Sequence, residues 1–257
     1  MMKELKILVC GVNGAMGKTV VQCARETEGI EVAAGFDVQT SEEYPFPLYT
    51  VLSEIDTNEI DGVVDFSHYS VAKDIAAFCA QHQLPLVSAT TGVDEETEQY
   101  YHTVSETIPV FRSKNFSYGI SVMKKLLTDA ARLLADDYDI EMIEMHHNKK
   151  ADAPSGTAQM LLDAMCQVIN ENPEILYGRH GKDSKRKQNE ITVHAVRGGT
   201  IVGEHSVLFA GEDEIITISH SARSKKVFAV GALKALKYIC EKQNGFYTMD
   251  DLTAEGE

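Results

Sequence analysis

The sequence predicts an α/β protein: a parallel sheet wound with helices, joined to a smaller α+β unit whose sheet is open and mixed, mostly antiparallel. Three observations carry that expectation. Short, nearly continuous apolar runs alternate with helical segments from residue 6 to residue 111, the pattern of strands buried on both faces. A glycine-rich turn, Gly11-Val12-Asn13-Gly14-Ala15-Met16-Gly17, directly follows the first run. After Asn115 the pattern changes to longer strand-like runs with helices between them.

In order, residues 6–10 (K-I-L-V-C) read as a strand, 18–26 as a helix, and 31–36 as a second strand ending at Asp37. Strand, glycine turn, helix, strand and acid make the layout of a Rossmann-like dinucleotide-binding unit. Gly11 permits the tight turn, Gly14 lets a pyrophosphate reach the backbone, and Gly17 lets the helix pack closely. Asp37, about 20 residues past the last glycine, is placed to accept from ribose hydroxyls. The spacing is G-x-x-G-x-x-G rather than the commoner G-x-G-x-x-G, and a purely structural turn is the alternative reading. The alternation continues with strands at 62–66, 86–88 and 109–111 and helices at 71–81 and 94–107. Ligands of such sheets bind beyond the carboxyl ends of the strands. That rule nominates Phe66-Ser67, Ala89-Thr90-Thr91-Gly92 and Ser113-Lys114-Asn115-Phe116. Singly each is a loop; on one edge together they are expected neighbours of a nicotinamide.

Residues 121–135 read as a helix with Val122, Leu126, Leu127, Ala130, Leu133 and Leu134 on one broad apolar face. A strand at 139–145, a charged loop and a helix at 158–169 follow. Beyond a loop-like 170–188 lie strands at 190–196, 201–209 and 214–220, the first two joined by a short Gly198-Gly199 turn. An amphipathic helix at 227–242 is expected to pack back on the first domain. The expected division is 1–117 with 228–257 for dinucleotide binding, and 118–227 for substrate binding and oligomerisation.

The net charge of −15 excludes non-specific nucleic-acid binding, which needs clustered Lys and Arg. The one basic run, 182–187, contains no aromatic residue and reads as a solvated loop. No apolar run approaches the ~20 residues of a membrane span. Cys10, Cys23, Cys79, Cys166 and Cys240 form no C-x-x-C pair and are expected to be buried, reduced thiols, which suits a reducing cytoplasm. Asn115-Phe116-Ser117 matches a glycosylation acceptor, but no signal peptide is recognised that would deliver it. The expected location is the cytoplasm.

The densest chemistry lies in Glu144-Met145-His146-His147-Asn148-Lys149-Lys150-Ala151-Asp152-Ala153-Pro154-Ser155-Gly156-Thr157-Ala158, a strand-to-helix loop. Ser155 is a fitting N-cap, and the Ser155, Gly156 and Thr157 amides offer an anion a cradle. Adjacent side chains at a strand end diverge, so His146 and His147 do not converge on one ion, and no Cys or third His stands at ligand spacing; no metal is expected. An imidazole can give or take a proton at neutral pH, and Lys150 supplies positive charge or a proton. Beside a hydride donor, such a pair points to reduction of a polarised double bond in a negatively charged small molecule. Lys149 reads as a solvated charge and Asp152 as a loop-bracing acceptor.

This stretch closely resembles the signature E-x-H-H-x-x-K-x-D-A-P-S-G-T-A of the dihydrodipicolinate reductase (4-hydroxy-tetrahydrodipicolinate reductase) family. The resemblance covers essentially the whole chain, through the G-x-x-G-x-M-G turn, Thr90-Thr91-Gly92, Asn115-Phe116-Ser117 and Val202-Gly203-Glu204-His205. It implies an enzyme of the diaminopimelate route to lysine that uses NADH or NADPH to reduce a cyclic dicarboxylate to tetrahydrodipicolinate with loss of water. It also implies a homotetramer assembled through the second-domain sheets. By position, His146 resembles the catalytic proton donor/acceptor and Lys150 the second proton donor. His147, Gly156 and Thr157 match positions that bind substrate carboxylates. Gly11, Val12, Asn13, Gly14, Ala15, Met16, Asp37, Ala89, Thr90, Thr91, Ser113, Lys114, Asn115 and Phe116 match cofactor-binding positions.

Two departures stand out. Ala89 occupies a position where many members carry glycine. Val38, followed by Gln39, Thr40, Ser41, Glu42 and Glu43, stands where some members place arginine after the ribose-binding acid. A 2′-phosphate wants Arg or Lys there, and an acidic loop repels it, so NADH is the expected cofactor and NADPH the alternative. A semialdehyde or sugar dehydrogenase is the alternative enzyme, and a nucleotide-binding regulator with a lapsed catalytic pair the alternative outside enzymes. For an aldehyde-phosphorylating enzyme the chain lacks a cysteine in an electropositive setting; against a regulator stands the intact His146/Lys150 pair.

Overall fold

The first apolar run folds as β1 (Leu5–Cys10), its last four residues shielded from solvent, in a computed structural model that describes residues 4–39 and 44–254. Its neighbours are β2 (Ile30–Phe36) and, on the other side, β4 (Gly62–Asp65), both parallel to it. Beyond β2 lies β3 (Leu48–Tyr49), and beyond β4 come β5 (Leu86–Ser88), β6 (Pro109–Arg112) and β12 (Gly245–Tyr247). The order β12-β6-β5-β4-β1-β2-β3 is parallel throughout.

Alternation along β1 sends side chains to two cores. Ile7 and Val9 face a cluster with α1 (Ala15–Arg25) and α6 (Lys226–Ile239), while Leu8 and Cys10 face one with α2 (Tyr69–His82) and α3 (Glu95–Ser105). The chain divides into two compact units, residues 1–118 with 225–257 and residues 119–224, so α6 belongs to the first. β3, β12 and α7 (Met249–Ala254) go beyond the sequence reading. Strands of two or three residues are too short to show a period of two.

In the second unit, β7 (Asp139–His146) is the central strand of a five-stranded sheet ordered β11-β10-β7-β9-β8. Its partners are β8 (Glu174–Leu176), β9 (Glu190–Arg197), β10 (Gly203–Ala210) and β11 (Ile215–Ala222). Ile140, Met142, Ile191, Val193, Val207 and Phe209 form its covered face, under α4 (Tyr118–Leu134) and α5 (Gly156–Cys166).

The second sheet is mixed, as expected: the β10 pairs with β11 and β7 are antiparallel and the shorter set, β9 with β7 and β8, parallel. Three expectations need correction here. The strands flanking Gly198-Gly199 do not pair with each other. β7 runs between them, and the turn straddles its end, with Gly198 N–H donating to His146 O at 2.9 Å and Asn148 N–H to Gly199 O at 3.2 Å. The buried face of α4 is Ile120, Met123, Leu127 and Ala131, while Val122, Leu126 and Leu133 are exposed. Its apolar face is broad, running from Val122 and Leu133 round to Ile120 and Ala131, so periodicity alone does not choose which part of that face is buried. Finally, the 170–188 segment contains β8 and is not simply solvated. Arg186 lies on the sheet, its Nη1 donating to Glu141 Oε1 at 2.6 Å and its Nε 2.7 Å from Asp139.

Candidate functional site

In the first unit, the glycine turn is shaped as the spacing requires. Gly11 has φ +75°, and a Cβ there would meet Phe66 O at 2.6 Å; a Cβ on Gly17 would stand 2.1 Å from Gly11 O. α1 begins at Ala15, three residues earlier than expected, so Gly14 is its N-cap with no capping side chain and no acid in the first turn. Its leading amides are thus left to solvent or an anion. Asp37 closes the turn, with Oδ2 accepting from Asn13 N–H at 3.0 Å. A pocket of about 490 Å³ opens beside it, lined by Gly11, Asn13, Gly14, Phe36, Asp37, Val38, Gln39, Phe66, Ser67, His68 and Val71.

These residues fit a dinucleotide. The cradle has no Cβ where a pyrophosphate would approach, an acid stands at its rim, and Asn13 Oδ1 is buried with no hydrogen-bond partner among the described residues. Val12 is fully buried, its carbonyl accepting from Tyr44 OH at 3.1 Å, while Ala15 is exposed and Met16 half-buried. Ala89, Thr90, Thr91 and Ser113 to Phe116 follow β5 and β6 on the same carboxyl edge, outside the pocket lining. There the buried Asp65 ties two loops together, accepting from Ser67 N–H at 2.8 Å and from Thr90 Oγ1–H at 2.9 Å. Burial pushes the Asp65 carboxyl up, against these hydrogen bonds. Ser113 and Asn115 brace each other's turn, and Phe116 is buried, with its carbonyl against Gly231. Lys114 stands beside them in sequence. Val38 is 59% exposed at the pocket rim; Thr40 to Glu43 lie outside the described residues.

In the second unit, the period of two along β7 puts Ile140, Met142, Glu144 and His146 in one buried row. The row starts as core and ends as chemistry. Glu144, with no exposed surface, accepts from four donors. His146 Nδ1 lies 2.6 Å from Oε2, Arg197 donates bidentately at 2.7 and 2.8 Å, and Ser155 N–H donates to Oε1 at 3.0 Å. Burial raises the Glu144 carboxyl, but the Arg197 fork, His146 and the Ser155 amide outweigh it and hold it below the ordinary range. Arg197 also donates to Asp152 O at 2.6 Å, tying the loop to β9.

From β10, His205 reaches the same cluster, with Nε2 3.1 Å from Ser155 Oγ. Burial, with His146 nearby, lowers its pKa to about 4, so it is neutral at physiological pH. Ser155 caps α5 as expected, its Oγ accepting from Ala158 N–H at 3.1 Å. The anticipated three-amide cradle is smaller than expected, because the Ser155 amide belongs to Glu144 and the Asp152 carboxylate faces the Gly156 amide. Lys150 is half-buried with Nζ 2.8 Å from Asp152, His147 is half-buried with Nδ1 unpartnered among the described residues, and Lys149 is exposed. Gly156 is open around its Cα. His146 thus ends β7, Lys150 stands on the loop after it, and Gly156 and Thr157 open α5.

Glu144 and His205 stand in the motifs that carry the resemblance but receive no role there, and Arg197 and Asp65 are not singled out by the sequence. Glu144 was legible, since a residue two before His146 on a strand shares its face. Arg197 and His205 come from other strands and carry no local signal. Among the described residues no three His, Cys, Asp or Glu side chains gather for a metal ion, and no helix is long and apolar enough to cross a membrane.

Comparison with known proteins matches residues 5–116 to the family model "Dihydrodipicolinate reductase, N-terminus" and residues 119–253 to "Dihydrodipicolinate reductase, C-terminus". A 4-hydroxy-tetrahydrodipicolinate reductase from Caldanaerobacter subterraneus subsp. tengcongensis is 48% identical over 254 residues, 98% of this chain and 99% of the relative. One from Clostridium tetani is 44% identical, covering 96% of both chains. Among solved structures, a dipicolinate-bound dihydrodipicolinate reductase from Paenisporosarcina sp. TG-14 shares the fold with a TM-score of 0.77 at 22% identity, over 95% of this chain and 97% of that one. A probable dehydrogenase from Thermotoga maritima shares it at a TM-score of 0.59 and 11% identity, over 96% and 92%.

Proposed function

The chain belongs to the dihydrodipicolinate reductase family, and on that premise we propose that it reduces 4-hydroxy-tetrahydrodipicolinate to tetrahydrodipicolinate in lysine biosynthesis. Per turnover one hydride and one proton enter and one water leaves. The observation that carries the reading is the buried row of β7 ending in His146, directly before the loop that holds Lys150 and leads into α5. A cyclic dicarboxylate is the substrate such a loop suits: positive charge from Lys150, a half-buried imidazole at His147, and an open helix start at Gly156 and Thr157.

A bound reduced nicotinamide supplies the hydride. The glycine turn and the leading amides of α1 bind the pyrophosphate, and Asp37 binds the adenosine ribose. Ala89, Thr90, Thr91 and Ser113 to Phe116 border the nicotinamide end, with Asp65 bracing the first of these loops. His146 and Lys150 hold the proton delivered to the ring as negative charge develops there. His147, Gly156 and Thr157 hold the carboxylates. NADH is preferred over NADPH, since Asp37 and exposed Val38 offer a 2′-phosphate no cation. The protein works in the cytoplasm as a homotetramer assembled through the second-unit sheet, around which Val196, Ile215 and Ile216 are exposed.

The test is loss of the reduced-nicotinamide absorbance band when the purified chain meets the product of the preceding synthase, generated in situ, with each cofactor in turn. Absorbance loss that depends on that product supports the reading; its absence with both cofactors overturns it.

A further inference from the structure

The proposed reaction leaves Glu144 without a role, although it is the most heavily hydrogen-bonded side chain of the second unit's site. A glutamate with no exposed surface is costly to bury unless its partners are built for it. Here they come from three elements: His146 on its own strand, Arg197 on β9 and the Ser155 amide at the start of α5. The register explains the meeting. Arg197 is the β9 partner of His146, and His205 the β10 partner of Glu144, so four side chains converge at the end of one covered face.

An ionised carboxylate only accepts hydrogen bonds. The imidazole nitrogen 2.6 Å from it, Nδ1, therefore carries a proton, and Nε2 is left as the nitrogen that exchanges protons with a ligand. Nε2 points past Gly203, where an added Cβ would stand 3.1 Å away, and 11% of the His146 side chain remains exposed. The other oxygen of the same carboxylate takes the Ser155 amide and so sets where α5 begins.

We propose that Glu144 is the positioning residue of this site. Through Oε2 it fixes the tautomer and ring orientation of His146, and through Oε1 it fixes the helix start that receives the substrate carboxylate. Arg197 supplies the opposing charge that keeps the carboxylate ionised. The charged and titratable groups around His146 are thus Glu144, Arg197 and His205, with Lys150 paired to Asp152 on the loop that follows. The inference rests on the reading of His146 as a proton donor.

Nitrogen-15 NMR of the histidine rings, with Glu144→Gln beside the unsubstituted chain, tests it. The expected result is a single Nδ1-protonated tautomer for His146 that is lost or mixed in Glu144→Gln. With it should come a fall in kcat of about 10- to 100-fold, with KM for the nicotinamide cofactor changed less than roughly twofold. A carboxylate that merely supported the fold would lower stability and leave the tautomer alone, so an unchanged His146 tautomer in the variant overturns the proposal. Should Glu144→Gln not fold, an Nε2-protonated His146 in the unsubstituted chain overturns it and an Nδ1-protonated one supports it. A chain without reductase activity would remove the functional reading, yet the ring spectrum would still report on Glu144.

Discussion

The rings of His146 and His205 meet edge to face with centroids 5.3 Å apart. Burial and this neighbour lower the pKa of His205 from 6.5 to about 4. Above pH 6.5 the ring is neutral whether the chain is folded or not, and it costs nothing. As pH falls below that, the unfolded chain binds a proton that the folded chain refuses, so stability declines until the folded ring also titrates. The loss should total about 3 kcal/mol between pH 6.5 and pH 4. Urea unfolding midpoints across that range, with His205→Gln as the control, check it; a flat profile would refute it. Glu144, held below its ordinary range, adds a second loss at lower pH, as the medium drops through and below 4.5.

Lys150 and Asp152 form a pair whose carboxylate is more than half exposed. Such pairs contribute about 0–1 kcal/mol, so Asp152→Asn and Lys150→Met should each keep the melting temperature within a few degrees. Lys150→Met should nonetheless lower kcat by about 100-fold or more, as loss of a proton donor does. His146→Gln should do the same and alter the pH dependence. Near-normal turnover in either would remove that residue from the proton-handling pair.

Two glycines separate packing from binding. Gly17→Ala places a Cβ 2.1 Å from a backbone oxygen and should destabilise the first unit by about 3 kcal/mol or more. Gly156→Ala meets nothing within 4 Å, and its effect on stability should stay within about 0.5 kcal/mol. If the start of α5 receives the substrate carboxylate, the same change raises KM for the dicarboxylate by about tenfold. Denaturation and steady-state kinetics on the two variants read the two effects apart.

The cofactor preference turns on Val38, exposed at the pocket rim beside Asp37. The unsubstituted chain should show about tenfold higher kcat/KM with NADH than with NADPH. Val38→Arg should shift the ratio about tenfold toward NADPH, because a guanidinium pairs with the 2′-phosphate. Equal use of both cofactors by the unsubstituted chain would contradict the preference.

Assembly is checked by sedimentation. A homotetramer is expected, and Ile216→Asp, which puts a charge on a half-exposed apolar position of β11, should yield smaller species. A chain that sediments as a monomer would exclude the proposed assembly.

The parallel sheet was legible because its strands are buried on both faces and separated by helices, so each reads as an isolated apolar run. Gly11, Gly14, Gly17 and Asp37 were legible because their roles are local to one turn. The second sheet was harder. Gly198-Gly199 carries ordinary hairpin chemistry, and nothing nearby reveals that β7 passes between the strands it joins. The Glu144 cluster was half hidden for a related reason. Its partner Arg197 lies 53 residues away, and only the register of β7 against β9 brings the two together. The exposed stripe of α4 stayed hidden because an apolar face this broad does not declare which of its margins is buried.

Because β7 is laddered on both sides, by β10 over Asp139 to Met145 and by β9 over Ile140 to His146, no part of it frays independently. To loosen His146, both ladders and the glycine bridge across the strand end must part together. The amide protons of Met142 to His146 should therefore be among the last in the second unit to exchange with solvent deuterium. The side chain proposed to trade protons every turnover hangs from the stretch of backbone that trades its own most slowly.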